Sequence, residues 1–486
     1  MHEAMPISNN LWSQFTDNPL MVLSVFGILL MFMGLLPKMK EWLLTIGLVG
    51  LLAGWSITLL NWENSLTATP IFNMLTFDRG AIVLTAIMIA TLILIFLVTD
   101  HKSIMDMNHL GEYYALMIFA LIGGIIMVSF KNLLMLFIGV EILSIASYIL
   151  AGFNKKNLLS NEASLKYFLM GSFASGILLM GITLVYGMSG SFDLEHIAAY
   201  TIQYNIHPPA LYLVGILLLM VAFAFKVSAA PFHFWAPDVY QGAPTISTAF
   251  MSTVVKTAAF GAFYRLFYTA FNFNSTVWNT TVLVIVGLTL VIPNLTATRQ
   301  TSLKRILAYS GIANAGFLMM VLLQTNLVNE NGTHIAQSNM SLYLTGYVIA
   351  NIMAFAALFL VKDATGSDEL ESFKGLAKRN PYLSAFLTIA MCSMAGIPAT
   401  AGFMGKYFMI AGLLESGHIV LSVVAVLMSV VSLYYYFKVI KAMYMEEGEG
   451  AHIVLNPSYV FLFIIGLVIL FTIGLMPHYI RDLFLM

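Results

Sequence analysis

Glu141, Lys166, Lys226, Lys256, Arg265 and Lys406 stand inside long apolar segments of this 486-residue chain. An ionised Lys or Glu at the centre of a membrane helix costs on the order of 2.5–3.5 kcal/mol on insertion scales. Such a residue is retained where it has a task or where its side chain escapes to the interface. Lysine is the informative type among them. A buried lysine can shed its proton near neutral pH, whereas arginine stays charged. A chain of buried lysines with one carboxylate able to hold or release the first suits a proton relay; a pore for a hydrated anion would favour arginine rings and a wider lining.

Position separates the readings of each residue. Glu141, in KNLLMLFIGVEILSIASYIL, follows Lys131 by ten residues, about 15 Å at 1.5 Å per residue and near the midplane. A carboxylate cannot reach water from there, so it serves either as a relay group or as a protonated acid bonded to a neighbouring helix. Lys226 ends ALYLVGILLLMVAFAFK five residues before Pro231, at a helix stop whose open carbonyls are available to its ammonium or to water. It is a relay lysine or a cap on those carbonyls. Lys256 lies deep in TISTAFMSTVVKTAAFGAFYRL, where Ser252, Thr253, Thr257 and Ala258 leave room for water. Lys406 emerges from AGIPATAGFMGK, where Pro398, Gly402 and Gly405 predict an unwound segment, and the same two readings apply as for Lys226. Lys166 is one turn into its segment, and function and snorkelling to the interface stay open. Arg265 is near the outer end and is expected to snorkel. His233, in PFHFWAPDVYQGAPT, is a proton relay or a hydrogen-bonding loop histidine.

The elements that carry these residues are membrane helices. Apolar residues make up 60% of the chain and charged ones 9%, against roughly 45–50% and 25% in soluble domains, and the mean hydropathy is +0.88. So few charges cannot cover a water-facing surface. At about 20 apolar residues per crossing the sequence predicts an all-α membrane protein of fourteen spans: 19–36, 42–60, 79–98, 112–129, 132–153, 163–187, 210–241, 245–270, 277–298, 303–324, 340–361, 382–413, 418–440 and 457–477. The first eighteen residues carry no Lys or Arg, so the first apolar run is expected to be a retained span and not a signal peptide.

Lys38, Lys40, Lys102, Lys155, Lys156, Arg299, Lys304, Arg305, Lys362, Lys374, Lys378, Arg379, Lys438 and Lys441 fall in odd-numbered loops. Arg79, Lys131 and Arg481 alone fall in even loops or termini. The positive-inside rule then places odd loops in the cytoplasm and both termini outside. Spans seven and twelve are overlong and interrupted by Pro and Gly. They are five helices apart, so residues 112–270 and 277–440 read as two five-helix units of opposite orientation, the inverted repeat of secondary transporters. Residues 1–111 hold three preceding spans and 441–486 the last one.

The single cysteine, Cys392, excludes an iron–sulfur cluster or a disulfide within the chain. Nine of the ten histidines lie in loops or at span ends and His233 in the Pro-rich break, so no helix interior offers paired haem ligands. No Gly-rich nucleotide fingerprint follows a strand pattern, and no charge block suggests nucleic acid.

The segments FIGVEILSIASY, PFHFWAPDVYQGAPT after a lysine, SLKRILAYSGIANAGF and AGIPATAGFMGK resemble the antiporter-like membrane-arm subunits of bacterial NADH–quinone oxidoreductase, respiratory complex I. The resemblance runs from about residue 75 to 480. Three sister families share this fold. Lys406, where the middle sister carries Glu, the intact VYQGAPT, and a chain that stops after span fourteen without the largest sister's lateral helix favour the N family. The resemblance implies a proton-translocating subunit of a respiratory enzyme in the bacterial inner membrane, with the other membrane-arm subunits as partners. It implies no redox cofactor in this chain; NADH, flavin, iron–sulfur clusters and quinone belong to other subunits. Carried over residue by residue, Glu141 pairs with Lys226, Lys256 sits at the centre, and Lys406 leads outward. The family often carries His where this chain has Asn314, so any proton role of that His is not carried over.

A subunit of a multi-subunit cation/proton antiporter would show similar lysines and repeats; VYQGAPT and the lack of a large extra domain argue against it. A membrane redox enzyme with its own haem or flavin is opposed by the histidine and cysteine counts, and a purely structural span-filler by the embedded cations.

Overall fold

The computed structural model describes residues 18–62, 71–99, 109–204, 207–272, 275–324, 335–448 and 452–485. Residues 1–17, Lys102, His101 and His334 lie outside them. The helices in order are α1 Pro19–Gly34, α2 Leu43–Leu60, α3 Arg79–Leu97, α4 Leu110–Ser129, α5 Leu133–Ala151, α6 Leu158–Ser189, α7 Leu194–Gln203, α8 Ala210–Lys226 and α9 Trp235–Gly242. They continue as α10 Thr245–Ala270, α11 Ser275–Ala297, α12 Leu303–Leu323, α13 Ile335–Thr365, α14 Pro381–Ala395, α15 Ala401–Glu415, α16 Ile419–Met445, α17 Pro457–Leu475 and α18 Pro477–Leu485.

Among the described residues eleven helices (α2–α6, α10–α13, α16 and α17) are long and apolar enough to cross a membrane, and α1, α8 and α14 are shorter apolar helices. A helix satisfies its own backbone where no water is present to do so, and polar caps set where each begins. Asn18, Asp78, Asn132 and Asn157 accept from the first-turn amides of α1, α3, α5 and α6. The Asn157 cap explains why α6 starts at Leu158 and not at the expected 163: its first polar turns extend past the apolar run. Two helices were not anticipated. α7 follows an Asp193 cap that accepts from Glu195 and His196, and α18 follows the last apolar helix.

α10 lies at the centre, packed against α3, α4, α7, α8 and α13. α13 is the second central helix, in contact with α12, α14, α15 and α17. Small residues allow close approach: a Cβ on Gly123 of α4 would stand 2.6 Å from the Leu143 amide nitrogen of α5, the type of contact that joins helices in lipid. Phe168 and Phe173 of α6 and Val423 and Val430 of α16 stay exposed on the outer faces.

Both long Pro/Gly-rich segments are interrupted. The first stops at Lys226 and resumes at Trp235; the second stops at Ala395 and resumes at Ala401. Each interruption holds a non-glycine residue in the left-handed region, Ser228 at φ 60° and Ala399 at φ 69°, and the first contains a cis Ala230–Pro231 bond.

A two-bond bridge recurs in the two proposed units. The Leu133 amide at the start of α5 donates to Phe192 O (2.9 Å) and the Leu194 amide to Lys131 O (3.0 Å). The Leu303 amide at the start of α12 donates to Asp368 O (2.9 Å) and the Leu370 amide to Thr301 O (2.9 Å). In each case the second helix of a unit is tied to the loop that follows the third.

Candidate functional site

Lys226 is the last residue of α8 and is 8% exposed. Its Nζ donates to Ser144 Oγ of α5 at 2.5 Å and lies 6.0 Å from the centre of the Tyr148 ring. The Ser144 hydroxyl in turn donates to the Val140 carbonyl. No carbonyl of the helix stop accepts the Lys226 ammonium, and two of them bond elsewhere: Ala224 O accepts from the Ala229 amide, and Phe225 O from the Ser228 amide and from Trp235 Nε1 (3.2 Å). Trp235 is held by stacking on Tyr167 with ring centres 4.6 Å apart.

Glu141, half-buried on the same helix as Ser144, accepts from Ser175 Oγ of α6 at 2.5 Å. Within the 4.0 Å limit for an ion pair, none of Lys226, Lys256 and Lys406 meets a carboxylate among the described residues. The carried-over Glu141–Lys226 pairing is therefore not a direct contact here. Each member holds a serine, and Ser144 stands three residues along from Glu141.

Lys256 follows a π-helical turn, Met251–Val255, inside α10. Such turns loosen the backbone ladder and recur at functional sites; nothing in MSTVV announces this one. The Lys256 Nζ donates to Gly311 O of α12 at 2.5 Å, and the Tyr347 ring centre is 6.0 Å away. The neighbouring hydroxyls expected to make room for water bond their own helix instead: Ser252 and Thr253 to Ala249 O, and Thr257 to Thr253 O.

Lys406 is on α15, past the second interruption. Its Nζ donates to Met394 O (2.8 Å) and Ala395 O (3.1 Å), the last carbonyls of α14, and lies 5.1 Å from the Phe317 ring centre. Carbonyl capping thus occurs at Lys406 and not at Lys226, and the two lysines are not mirror images: one ends the first half of its broken span, the other stands in the second half.

Asn314 is buried in α12. It accepts from the Tyr343 hydroxyl (2.7 Å) and donates to Ser310 O (2.9 Å), while Ser310 Oγ meets Tyr436 OH at 2.5 Å. His233 is 3% exposed, stacks on Phe234, and leaves Nδ1 without a hydrogen-bond partner. Arg265 does not simply snorkel, because it donates to Phe130 O (2.7 Å) and pairs with Asp78 at 2.5 Å.

Lys166 joins a cluster at one end of the bundle. It pairs with Glu162 (2.7 Å) and Asp238 (3.1 Å), and Asp238 also pairs with Arg305 (3.2 Å). Beneath it lies a residue that sequence reasoning assigned to a loop. Lys304 is 1% exposed and donates to Gln241 O (3.2 Å) and Ala243 O (2.5 Å), capping the end of α9. Its place in the first turn of a span, beside Arg305, disguised it. The usable signal was Ala308, Gly311 and Ala315 at helical spacing on its own face, a small-residue stripe that marks a packed side. Among the described residues no group of three or more His, Cys, Asp or Glu is placed to hold a metal ion.

Residues 131–432 match the family described as NADH:quinone oxidoreductase/Mrp antiporter, TM. NADH-quinone oxidoreductase subunit N of Cytophaga hutchinsonii is 42% identical over 469 residues, 95% of this chain and 98% of that one. A chain of respiratory complex I from Thermus thermophilus superposes with a TM-score of 0.80 at 31% identity, covering 96% of this chain and 98% of its own. A chain of the Mrp complex from Dietzia sp. DQ12-45-1b has the same fold, with a TM-score of 0.80 at 19% identity over 95% and 96% of the two chains.

Proposed function

Since the chain belongs to the NADH:quinone oxidoreductase/Mrp antiporter family, and within it to the subunit N branch, we propose that Glu141, Lys226, Lys256 and Lys406 form its proton relay. The chain is an antiporter-like subunit of a proton-translocating NADH-quinone oxidoreductase, and the other membrane-arm subunits are its partners. The redox groups belong to those other subunits. The fourteen-span count, the outside termini and the inverted units 112–270 and 277–440 complete this reading; the repeated bridge at Leu133 and Leu303 supports the units.

One observation carries the relay. Three lysines are buried, each at a helix break or a π turn, and each is held by a neutral oxygen and not by a carboxylate. A lysine held this way can exist with or without its proton, because a hydroxyl or carbonyl accepts an N–H from either form. The lone carboxylate nearby supplies the bias. With Glu141 brought toward Lys226, Coulomb attraction keeps the proton on the lysine; with each bonded to its own serine, as here, that hold weakens and the proton can move on toward Lys256. Lys166 and His233 fit an entry from the cytoplasmic side, and Lys406 the outward half.

Lys226→Ala and Lys256→Ala are expected to reduce proton pumping by the complex in vesicles, while NADH oxidation by a soluble artificial acceptor continues. The corresponding Arg variants should not restore it fully, since arginine does not deprotonate. Full pumping by both Arg variants would remove lysine titration from the mechanism.

A further inference from the structure

Asn294 and Asn314 are buried amides on packed helices, and they are bonded alike. Asn294 of α11 donates from Nδ2 to Leu290 O (2.6 Å) and accepts the Tyr435 hydroxyl on Oδ1 (3.0 Å). Asn314 of α12 donates from Nδ2 to Ser310 O (2.9 Å) and accepts the Tyr343 hydroxyl on Oδ1 (2.7 Å). A backbone carbonyl only accepts, so each Nδ2 must face its carbonyl and each Oδ1 its tyrosine. Both amides therefore have a fixed orientation, and neither tyrosine can reverse its bond.

Three buried hydroxyls lie between the two amides. Tyr435 and Tyr436 are consecutive on α16 with ring centres 4.5 Å apart, Tyr436 OH meets Ser310 Oγ at 2.5 Å, and Ser310 Oγ is 3.4 Å from Asn314 Nδ2. This cluster stands between the end of the bundle that carries Lys438 and the surroundings of Lys406. Lys438 follows Tyr436 by two residues, is half-buried, and donates to Gln300 O just past the end of α11 (2.8 Å). On the other side Tyr343 packs on Gly405, where a Cβ would meet its ring at 2.3 Å, and Lys406 is the next residue of α15.

A hydroxyl passes protons, because one oxygen takes a proton and releases another. An amide does not: its oxygen only accepts and its nitrogen only donates. A buried tyrosine hydroxyl left without an acceptor costs about 1–3 kcal/mol, so leucine in either place would strand it. Serine, aspartic acid or histidine would pair the hydroxyl and also conduct. An amide pairs it and stops the proton. We propose that Asn294 and Asn314 are insulating residues that seal the Tyr435–Tyr436–Ser310 hydroxyls at both ends, so that no proton crosses this cluster between the Lys438 end of the bundle and Lys406. This rests on the relay reading above and adds what that reading needs, a wall around the last lysine. A conducting cluster here would connect Lys406 to one side of the membrane without passing Lys226 and Lys256, and a pumped proton would return by the same route.

The whole complex in vesicles tests this. A pH gradient built with NADH is left to decay once the NADH is spent, and a pH-sensitive dye follows it. Asn294→Asp combined with Asn314→Asp keeps the shape of both side chains and makes each a carboxylic acid, which takes a proton on one oxygen and gives it from the other. The pair should at least double the decay rate, with NADH oxidation by a soluble artificial acceptor unchanged. Either substitution alone should leave the decay rate as it was, because the other amide still seals. Asn294→Leu combined with Asn314→Leu breaks the same hydrogen bonds without offering a titratable group; it should lower the thermal midpoint and leave the decay rate unchanged. An unchanged decay rate in the Asp pair overturns the seal, and so does equal leakage in the Leu pair, which would trace the leak to packing. Should the Asp pair fail to assemble, Asn294→Ser combined with Asn314→Ser decides by the same measure. A failed seal beside a pumping-defective Lys256→Ala leaves the lysine relay standing; normal pumping by Lys256→Ala removes the relay itself.

Discussion

Ser144 takes the Lys226 ammonium and hands its own hydrogen to the Val140 carbonyl, three residues along the helix from Glu141. Removing that hydroxyl strands a buried donor, at a cost of about 1–3 kcal/mol. Ser144→Ala is therefore expected to lower the thermal midpoint of the purified complex and to slow pumping. Glu141→Gln keeps the shape and the Ser175 contact but not the charge, so it should slow pumping at an unchanged midpoint, with Glu141→Asp milder. Vesicle pumping assays and differential scanning calorimetry separate the two. The candidate lysines were legible because a charge in an apolar run is conspicuous whatever surrounds it. Their partners were not: a hydroxyl three residues from a carboxylate, or a glycine carbonyl on a different helix, has no signature until the helices are packed. Lys304 failed the same test in reverse, since beside Arg305 at a span's head it looks like an ordinary loop charge.

The two broken spans were legible as elements, through Pro231 in one and Pro398, Gly402 and Gly405 in the other. What holds each break open was not. Ser228 and Ala399 adopt left-handed backbone, a conformation that costs a residue with a Cβ roughly 1–2 kcal/mol. The second break packs tightly as well: a Cβ on Gly474 of α17 would fall 2.1 Å from Ala399 O. Ala399→Val, adding a β-branch at positive φ, should lower the thermal midpoint of the complex and the amount of this chain retained in it. Ala399→Gly should leave both unchanged or slightly raised. A destabilising Gly and a neutral Val would show that this backbone conformation is not populated. The π turn before Lys256 had no reading in sequence, because the extra residue in its ladder is selected by packing against α3, α4 and α13 and not by residue type.

At the scale of the whole molecule, the first break is closed from the second proposed unit. The Ala230 amide donates to Thr289 Oγ1 of α11 (2.9 Å), Lys304 caps Gln241 and Ala243, and Arg305 reaches Asp238 and Gln241. Lys304→Met keeps the length of the side chain and leaves these carbonyls unpaired. It is expected to cost about 1–3 kcal/mol and to reduce the yield of intact complex on native gels. The Asp238–Arg305 pair is half exposed, and a double-mutant cycle there should give about 0–1 kcal/mol and shrink further in high salt. The proposed repeat is read from the five-helix interval between the breaks. The cross-unit bonds were not legible there, since they join residues with no shared periodicity.

That closure from downstream has a consequence during synthesis. When α8, α9 and α10 first leave the ribosome, the Ala230 amide and the Gln241 and Ala243 carbonyls have no partner, and Lys304 follows Ala243 by roughly sixty residues. At translation rates of about 5–20 residues per second, the wait is about 3–12 s. For that interval the nascent chain carries backbone groups whose partners have not yet been made, so it is expected to linger within an insertase or beside a chaperone. A message truncated between α10 and α12 would yield no smaller working half. It would yield a permanently unfinished bundle, the kind of product that membrane proteases clear.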